Sequence, residues 1–193
     1  MPVDAPLYPV SLVVEGRRVL VVGRGTVADG KVKQLAACGA LVDVVAPDEY
    51  RPGHLEGYRL VITAAEDPTV NRTVHDDAEA AGVWVNSADD PANCSFTLPA
   101  VARRGPVTVA VSTGGQSPAL ATWLRRKFEA ELGPEYEILA ELLATERAAI
   151  RAGGGSTEGL DWQSALDSGM LDLIRAGQVQ EARERLQACL SSS

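Results

Sequence analysis

The sequence predicts an α/β protein built on a parallel sheet that is shortened at one edge. The prediction depends on apolar runs that alternate with helical segments, and on one short connection. The predicted strands are residues 17–23, 41–47, 58–65 and 83–87, and the predicted helices between them are residues 26–39 and 67–82. Only eleven residues, 48–58, separate the second strand from the run that begins at Arg59. That interval is too short for the further helix and strand that a complete half-sheet would contain.

Local patterns specify the elements of this sheet. The first strand, "RRVLVVG", is continuously apolar, which is typical of a strand buried on both faces. In the first helix, Gly39 marks the end, and the residues predicted to form the buried face are Val27, Val32, Leu35 and Ala36. The second helix has Asp67 as its N-cap, Pro68 at its first position and Gly82 at its end.

The pattern changes after the fourth strand. Residues 94–115 contain two β-rich runs, "CSFTLPA" and "PVTVAVST", around a basic turn at 103–106, which predicts an antiparallel pair. From Ser117 the chain is predicted to be helical, with a break at "GGGST" and two or three short helices after it. We therefore expect three regions: a sheet domain (1–92), a β-rich dimerisation and substrate segment (93–130) and a helical C-terminal domain (131–193).

Composition excludes several classes of function. The chain has 18 Lys and Arg against 26 Asp and Glu, a net charge of −8, which argues against general nucleic-acid binding but allows an anionic small molecule to bind a local basic cluster. Cys38, Cys94 and Cys189 have no Cys-x-x-Cys spacing, so a reducing cytoplasm is expected. "MPVDAPLYPV" lacks the features of a signal peptide, and no apolar run is long enough to span a membrane.

The first strand runs into a glycine turn, Gly23-x-Gly25-x-x-Ala28. In a dinucleotide site, the first Gly makes the turn, the second lets backbone N–H groups approach a pyrophosphate, and Ala28 allows close packing of helix on strand. A purely structural turn is the alternative. The position between a buried strand and a helix favours a Rossmann-like cofactor site.

The second strand ends near the predicted adenosine pocket. Asp48 follows the strand tip and could reach the ribose, and the backbone of Pro47 and Asp48 could line the pocket. No Arg or Lys lies at the tip to favour a 2′-phosphate, and Arg51 is the nearest, so NAD is favoured over NADP. Thr63 and Ala64, at the end of the third strand, complete the predicted cofactor contacts.

The loop after the fourth strand contains the catalytic candidates. Parallel strands deliver their C-terminal residues into the ligand crevice, and here Asp89 and Asp90 follow "VWVNS". The alternative is that these carboxylates only cap the loop before Pro91, which is the commoner role for such residues.

A second polar cluster is predicted to bind an anionic substrate. Ser112, Thr113 and Gly114 leave a strand just before a helix start, where hydroxyls and amides suit an anionic group. The densest basic clusters lie nearby, at Arg103, Arg104, Arg125, Arg126 and Lys127. These cations could bind several carboxylates, or could simply be solvated. His54 and His75 have no metal-ligand spacing, so no permanent metal site is expected.

Four ordered motifs together resemble the siroheme synthase N-terminal family, and more closely its free-standing precorrin-2 dehydrogenases. They are "YPVSLVVEGRRVLVVGRGTVA", "VITAAEDPTVN", "VNSADDPANCSFTLPA" and "VAVSTGGQSPALATWLRRKFE". The resemblance covers about residues 7–150 and continues weakly to "ARERL". It implies NAD-dependent oxidation of precorrin-2 to sirohydrochlorin, and some family members also insert ferrous iron. A homodimer is expected for a different reason: the apolar runs "PVTVAVST" and "CSFTLPA" need a covering surface, which the helices from Ser117 can supply across a two-fold axis.

The resemblance also implies roles for individual residues. The family's catalytic aspartate in "N-x-x-D-x-P" corresponds to Asp89, with Asn86 at the start of the motif among the predicted substrate contacts. Its cofactor contacts correspond to Thr26, Val27, Pro47 and Asp48. Thr113 stands where the family has a serine that can be phosphorylated, and it keeps the hydroxyl.

The chain departs from the family pattern at one place. Family members usually carry a helix and an edge strand between "VVAP" and the "Y-x-P-G-x-L-x-G" segment, and this chain joins the two directly. We expect the chemistry to be retained with cofactor binding weakened or rearranged. The rival interpretation is a non-catalytic tetrapyrrole or NAD carrier or sensor that kept the scaffold.

Overall fold

The computed structural model describes residues 6–88 and 90–191. The chain forms two compact units: Met1–Leu98 with Ser112–Pro118, and Pro99–Val111 with Ala119–Ser193. In the first unit the elements are β1 (Arg18–Gly23), α1 (Gly25–Ala37), β2 (Leu41–Val45), β3 (Leu60–Ala64), α2 (Pro68–Ala81) and β4 (Trp84–Ser87).

The four strands of the first unit form one parallel sheet with the order β2-β1-β3-β4. This is the predicted Rossmann-like arrangement, and β2 is its edge, as the short connection indicated. Between β2 and β3 lie only two short 3-10 helices, Pro47–Glu49 and Pro52–Leu55. Tyr50 and Leu55 from this connection are buried in the core, so the connection packs against the sheet.

A helix packs on each face of the sheet. Successive strand residues point to opposite faces. On one face, Val74 and Ala78 of α2 join a cluster with Leu20, Val22, Val61 and Val85. On the other, Ala28, Val32 and Leu35 of α1 pack near Val21, Ile62 and Ala64. The predicted buried face of α1 was therefore partly wrong: Val27 and Ala36 are exposed, because the i, i+4, i+7 row starts at Ala28.

The predicted caps of α2 are confirmed. The Asp67 carboxylate accepts a hydrogen bond from the Thr69 N–H at 2.8 Å, and Pro68 is the first helical residue. Gly82 ends the helix in the left-handed conformation with φ of 67°. These signals were readable in the sequence because every partner lies within one turn of the helix end.

The second unit contains a hairpin followed by helices. Its elements are β5 (Ala100–Arg104), β6 (Val107–Val111), α3 (Pro118–Glu131), α4 (Glu135–Ala152), α5 (Trp162–Asp167), α6 (Met170–Arg175) and α7 (Val179–Ser191). The last helices enclose a core with α4, formed by Leu139, Leu142, Ala165, Met170, Ile174, Ala182, Leu186 and Leu190. The predicted helical C-terminal part is thus confirmed.

The antiparallel pair is confirmed, but the turn is shorter than the predicted 103–106. Arg104 pairs with Val107 and Ala100 with Val111, so the turn consists of Gly105 and Pro106 alone. Arg103 and Arg104 belong to β5 and not to the turn, and "CSFTLPA" contributes only Ala100 to the strand. A two-residue turn with Gly105 at φ of 50° closes the hairpin more tightly than the basic run suggested.

In the part of the chain that the structure describes, no helix is both long enough and apolar enough to cross a bilayer. The three cysteines form no disulfide with one another.

Candidate functional site

The glycine turn lies at the C-terminal end of β1, in the middle of the sheet. A Cβ on Gly23 would lie 2.7 Å from the carbonyl oxygen of Ala64 and 3.2 Å from the Cβ of Ala28. Gly25 has φ of +81°, and a Cβ there would meet no atom within 4 Å. Gly23 is therefore required by close packing, whereas Gly25 leaves open space beside the backbone.

The start of α1 suits an anionic ligand. The helix begins at Gly25, and its first turn contains no acidic side chain, so the positive end of the helix dipole is not offset locally. Thr26 and Val27 are exposed in this turn, while Ala28 is buried against the sheet. Unfilled space at Gly25 and open N–H groups fit the pyrophosphate of a dinucleotide.

Two charged residues, Arg24 after β1 and Asp48 after β2, meet at the C-terminal ends of these neighbouring strands. Asp48 lies in the 3-10 helix that follows β2, and its carboxylate is 3.4 Å from the Arg24 guanidinium. Both side chains are mostly exposed, at 71% and 65%. The sequence prediction missed Arg24 because it considered cations only at the tip of the second strand, although Arg24 lies inside the glycine motif itself.

Arg51, the cation nearest in sequence to the tip of β2, is bonded to the backbone of the β2–β3 connection. Its guanidinium donates to the carbonyl oxygen of Asp48 at 3.2 Å and to that of Tyr50 at 2.5 Å. Pro47 is half-buried at the start of the same segment. Pro47 and Asp48 thus lie in a folded segment beside the glycine turn, at the C-terminal ends of the strands.

Thr63 and Ala64 form the wall between the glycine turn and the next strand. Thr63 pairs with Val22 and Ala64 with Gly23. Thr63 is fully buried, and its hydroxyl donates to the Asn71 side chain at 2.5 Å. The Thr63 backbone therefore fixes the end of β3 against β1, and its hydroxyl is bonded inside the protein.

Asp89, the predicted catalytic residue, lies outside the described residues. Its neighbour Ala88 donates its N–H to the carbonyl oxygen of Thr63 at 2.8 Å, which continues the β3–β4 pairing to the start of the loop. Asn86 is buried, and its amide donates to the carbonyl oxygen of Phe96 at 2.9 Å. Asn86 thus helps to close the base of the loop.

Cys94 closes the same loop through its thiol. Its sulfur donates to the carbonyl oxygens of Ser87 and Asp90, both at 3.3 Å, and accepts from the Ser87 N–H at 3.2 Å. Burial raises the pKa of the Cys94 thiol, so it stays protonated and can donate. The backbone on both sides of position 89 is therefore tied to Cys94.

Asp90 has a structural use in this loop. Its carboxylate accepts from the side-chain amide nitrogen of Asn93 at 2.6 Å, and the side-chain oxygen of Asn93 accepts from Arg72 of α2 at 3.1 Å. Asn93 is buried. The Asp90 carboxylate makes no capping hydrogen bond to the 3-10 helix that follows it, so its partner in this loop is the Asn93 side chain.

Side-chain hydroxyls within the segment 112–117 accept hydrogen bonds from the backbone of the same segment. The Ser112 hydroxyl accepts from the Gly114 N–H at 3.2 Å, and the Thr113 hydroxyl accepts from the Ser117 N–H at 3.0 Å. Gly114 has φ of 61°. The hydroxyls predicted to bind substrate therefore organise the turn that precedes α3.

Arg104 and Arg125, two residues of the predicted substrate cluster, are bonded within the second unit. Arg104 donates through Nε to the carbonyl oxygen of Leu132 at 2.9 Å, and Arg125 contacts Glu129 at 2.5 Å. Arg103 and Arg126 have exposed side chains. Across residues 6–88 and 90–191, no three His, Cys, Asp or Glu side chains converge as metal ligands would.

Comparison with known families matches two consecutive regions of the chain. A family model for NAD(P)-binding domains covers residues 10–100, and the model for the central region of sirohaem biosynthesis proteins covers residues 104–131. The siroheme synthases of Nitrosomonas eutropha and Nitrosococcus oceani are 35% and 36% identical to the chain, over 96% and 94% of its length. The chain spans only 44% and 43% of those relatives.

A solved structure matches nearly the whole chain. The structure of SirC, a precorrin-2 dehydrogenase, is 25% identical with a TM-score of 0.68, and the match covers 95% of this chain and 98% of SirC. The likeness extends over both units. With the NAD(P)-binding match, it supports the NAD cofactor predicted from the glycine turn.

Proposed function

We propose that the chain, as a member of the siroheme synthase N-terminal family, is an NAD-dependent precorrin-2 dehydrogenase. The reaction would remove a hydride and a proton from precorrin-2 to give sirohydrochlorin, NADH and a released proton. The three cysteines, which form no disulfide, are consistent with action in the cytoplasm.

The observation that carries this proposal is the arrangement of the glycine turn and the loop after β4 around one strand. β3 pairs with β1 through Thr63 and Val22, and its Thr63 carbonyl accepts the Ala88 N–H. A cofactor at the turn and a carboxylate carried by the loop would thus flank the same strand end. Hydride and proton acceptors must meet one substrate together, and this arrangement suits that need.

The chain's own residues would divide the work between binding and proton transfer. NAD, when bound, supplies the hydride acceptor. The backbone of Gly23 to Ala28 would hold its pyrophosphate, and Pro47 and Asp48 its adenosine. Asp89 would take the proton, with its loop held closed by Asn86 and Cys94.

The substrate carries many carboxylates, and the net charge of the protein is −8, so binding needs local cations. The proposed contacts are Arg103, Arg104, Arg125 and Arg126, with Ser112, Thr113 and Gly114. The exposed apolar side chains of Leu120, Trp123 and Phe128 on α3 support a homodimer that covers this helix.

A second candidate is a non-catalytic carrier or sensor of a tetrapyrrole or NAD. The observation that favours it is the sheet edge at β2, where two short 3-10 helices replace a further helix and strand. A site with fewer protein contacts beside the adenosine could bind NAD or a tetrapyrrole without catalysing a reaction.

The test is to follow NADH absorbance while precorrin-2 is generated in situ. The proposed dehydrogenase would produce NADH and sirohydrochlorin in equal amounts, and reactions without protein or without NAD serve as controls. Binding of NAD and tetrapyrrole without NADH formation would reject the dehydrogenase and favour the carrier.

A further inference from the structure

Asn71 is a buried amide on α2 that meets the end of β3. Only 5% of the residue is exposed. Its side-chain oxygen accepts from the Thr63 hydroxyl at 2.5 Å and from the Ala65 N–H at 3.1 Å, and its amide nitrogen donates to the Ala65 carbonyl oxygen at 2.9 Å. The side chain thus satisfies both backbone groups of the residue that follows the strand, as a neighbouring strand would.

The strand end held by Asn71 sets the position of two parts of the proposed site. Thr63 and Ala64 pair with Val22 and Gly23 on one side. On the other, Thr63 pairs with Ser87 and accepts the N–H of Ala88, the residue before position 89. A displacement of this end of β3 would therefore move the glycine turn and the loop of Asp89 together.

The contact at Gly23 couples such a displacement directly to the glycine turn. A Cβ on Gly23 would lie only 2.7 Å from the Ala64 carbonyl oxygen, so the two backbones are already as close as glycine allows. Ala64 lies one residue before the groups that Asn71 binds. Hydrogen bonds have directional preferences that apolar packing lacks, so Val74 and Ala78 can hold α2 on the sheet without fixing Ala65.

We infer that Asn71 is a positioning residue for the cofactor site, and that it acts through Thr63 and the backbone of Ala65. The inference rests on the proposed nucleotide site at the glycine turn. It adds a residue on α2, with a side chain buried beneath the sheet end, to the determinants of NAD affinity.

The test compares Asn71→Ala with Val74→Ala, a buried apolar truncation three residues along the same helix. NAD affinity is measured by calorimetry without substrate, at a temperature where both variants are folded by circular dichroism. Asn71→Ala should weaken NAD binding roughly tenfold or more, because Ala65 loses both partners. Val74→Ala should lower the melting temperature and leave NAD affinity unchanged, since it alters packing only.

Two further variants keep the test decisive if Asn71→Ala does not fold. Thr63→Val keeps the shape of the side chain and removes one hydrogen bond to Asn71, and it should weaken NAD binding less. Asn71→Asp keeps both acceptor contacts but sets an oxygen against the Ala65 carbonyl oxygen in place of the donated hydrogen bond, so it should also weaken NAD binding. Faster amide exchange at Ala65 in the Asn71 variants, with unchanged exchange at Val74, would locate the effect at the strand end.

The inference is overturned if the folded Asn71 variants and Thr63→Val bind NAD as tightly as the parent, or if Val74→Ala loses affinity to the same extent. The proposed function fails separately. A parent that binds NAD but never forms NADH from precorrin-2 rejects the dehydrogenase, and the comparison of NAD affinities still decides the role of Asn71.

Discussion

Gly23 and Ala64 lie so close that a methyl group on Gly23 would sit 2.7 Å from the Ala64 carbonyl oxygen. The two backbones come together where β1 and β3 end, because Gly23 pairs with Ala64 in the parallel sheet. Two residues along, Gly25 faces open space. The two glycines of the motif are thus required for different reasons, and substitutions at them should differ in effect.

Gly25→Val should abolish NAD binding. The substitution strains the backbone at φ of +81° and places a branched side chain in the open space of the pyrophosphate path. Calorimetry with NAD measures the loss. Gly30→Ala, inside α1 with nothing within 4 Å of its Cβ, is the control and should bind NAD normally with stability raised by roughly 0.5–1 kcal/mol. Parental affinity in Gly25→Val would show that the site is misplaced.

Asp48 should set the preference for NAD over NADP. Its carboxylate lies at the edge where the ribose is expected, and it would repel a 2′-phosphate. Asp48→Asn removes that charge and leaves Arg24 without its carboxylate partner at the edge, so NADP affinity should rise relative to NAD. Glu49→Gln, the next residue in the same 3-10 helix, makes the same charge change as a control. Equal shifts in both variants would mean that only net charge matters.

Asp89→Asn should lower the dehydrogenation rate by about 10²–10⁴-fold with NAD affinity unchanged, because the amide keeps the shape but cannot accept the proton. Any insertion of ferrous iron should fall in parallel, since that step must also remove pyrrole protons. Stopped-flow absorbance of NADH measures the rate.

Asp90→Asn is the matched control for Asp89. The Asp90 carboxylate is held by the Asn93 amide at 2.6 Å, and an Asn at position 90 can still offer an oxygen to that donor. Its turnover should stay near the parental value. A large loss in Asp90→Asn with little loss in Asp89→Asn would identify the other carboxylate as the base. If both variants remain active, the cleft acts by positioning and water takes the proton.

The protein should be a homodimer in which residues 94–130 contribute most of the interface. Trp123 is 53% exposed on α3, so Trp123→Glu should shift the protein to monomer in light scattering at micromolar concentration. Leu166→Glu on α5, also an exposed apolar position, is the control and should leave the dimer intact. A parent that is monomeric under these conditions contradicts the prediction.

Arg103 and Arg126 should contribute to substrate affinity more than to turnover. Arg104 and Arg125 contact Leu132 and Glu129 and are half-buried, so the more exposed Arg103 and Arg126 are the better tests of carboxylate binding. Arg103→Gln and Arg126→Gln should raise KM several-fold and change kcat little, as loss of uniform binding does. Arg183→Gln, exposed on α7, controls for net charge. Unchanged KM in both variants would show that these cations do not bind the substrate.

The sequence alone determined the elements whose signals are local. The cap at Asp67, the end at Gly82 and the glycine turn after β1 all depend on residues within a few positions, so the parallel sheet and its short edge were predictable. The hairpin was predictable as a pair but not in register, because the apolar pattern around 94–111 fits more than one alignment and the Gly105–Pro106 turn selects one.

Tertiary structure alone decided which distant side chains meet. Arg24 and Asp48 are 24 positions apart, and their ion pair depends on β1 and β2 lying side by side. In the sequence, Asn71 has no feature that distinguishes it from other helix residues. Its amide meets the end of β3 only because α2 packs on the sheet. Pairing of this kind is set by the packing of whole elements, and no spacing within the chain encodes it.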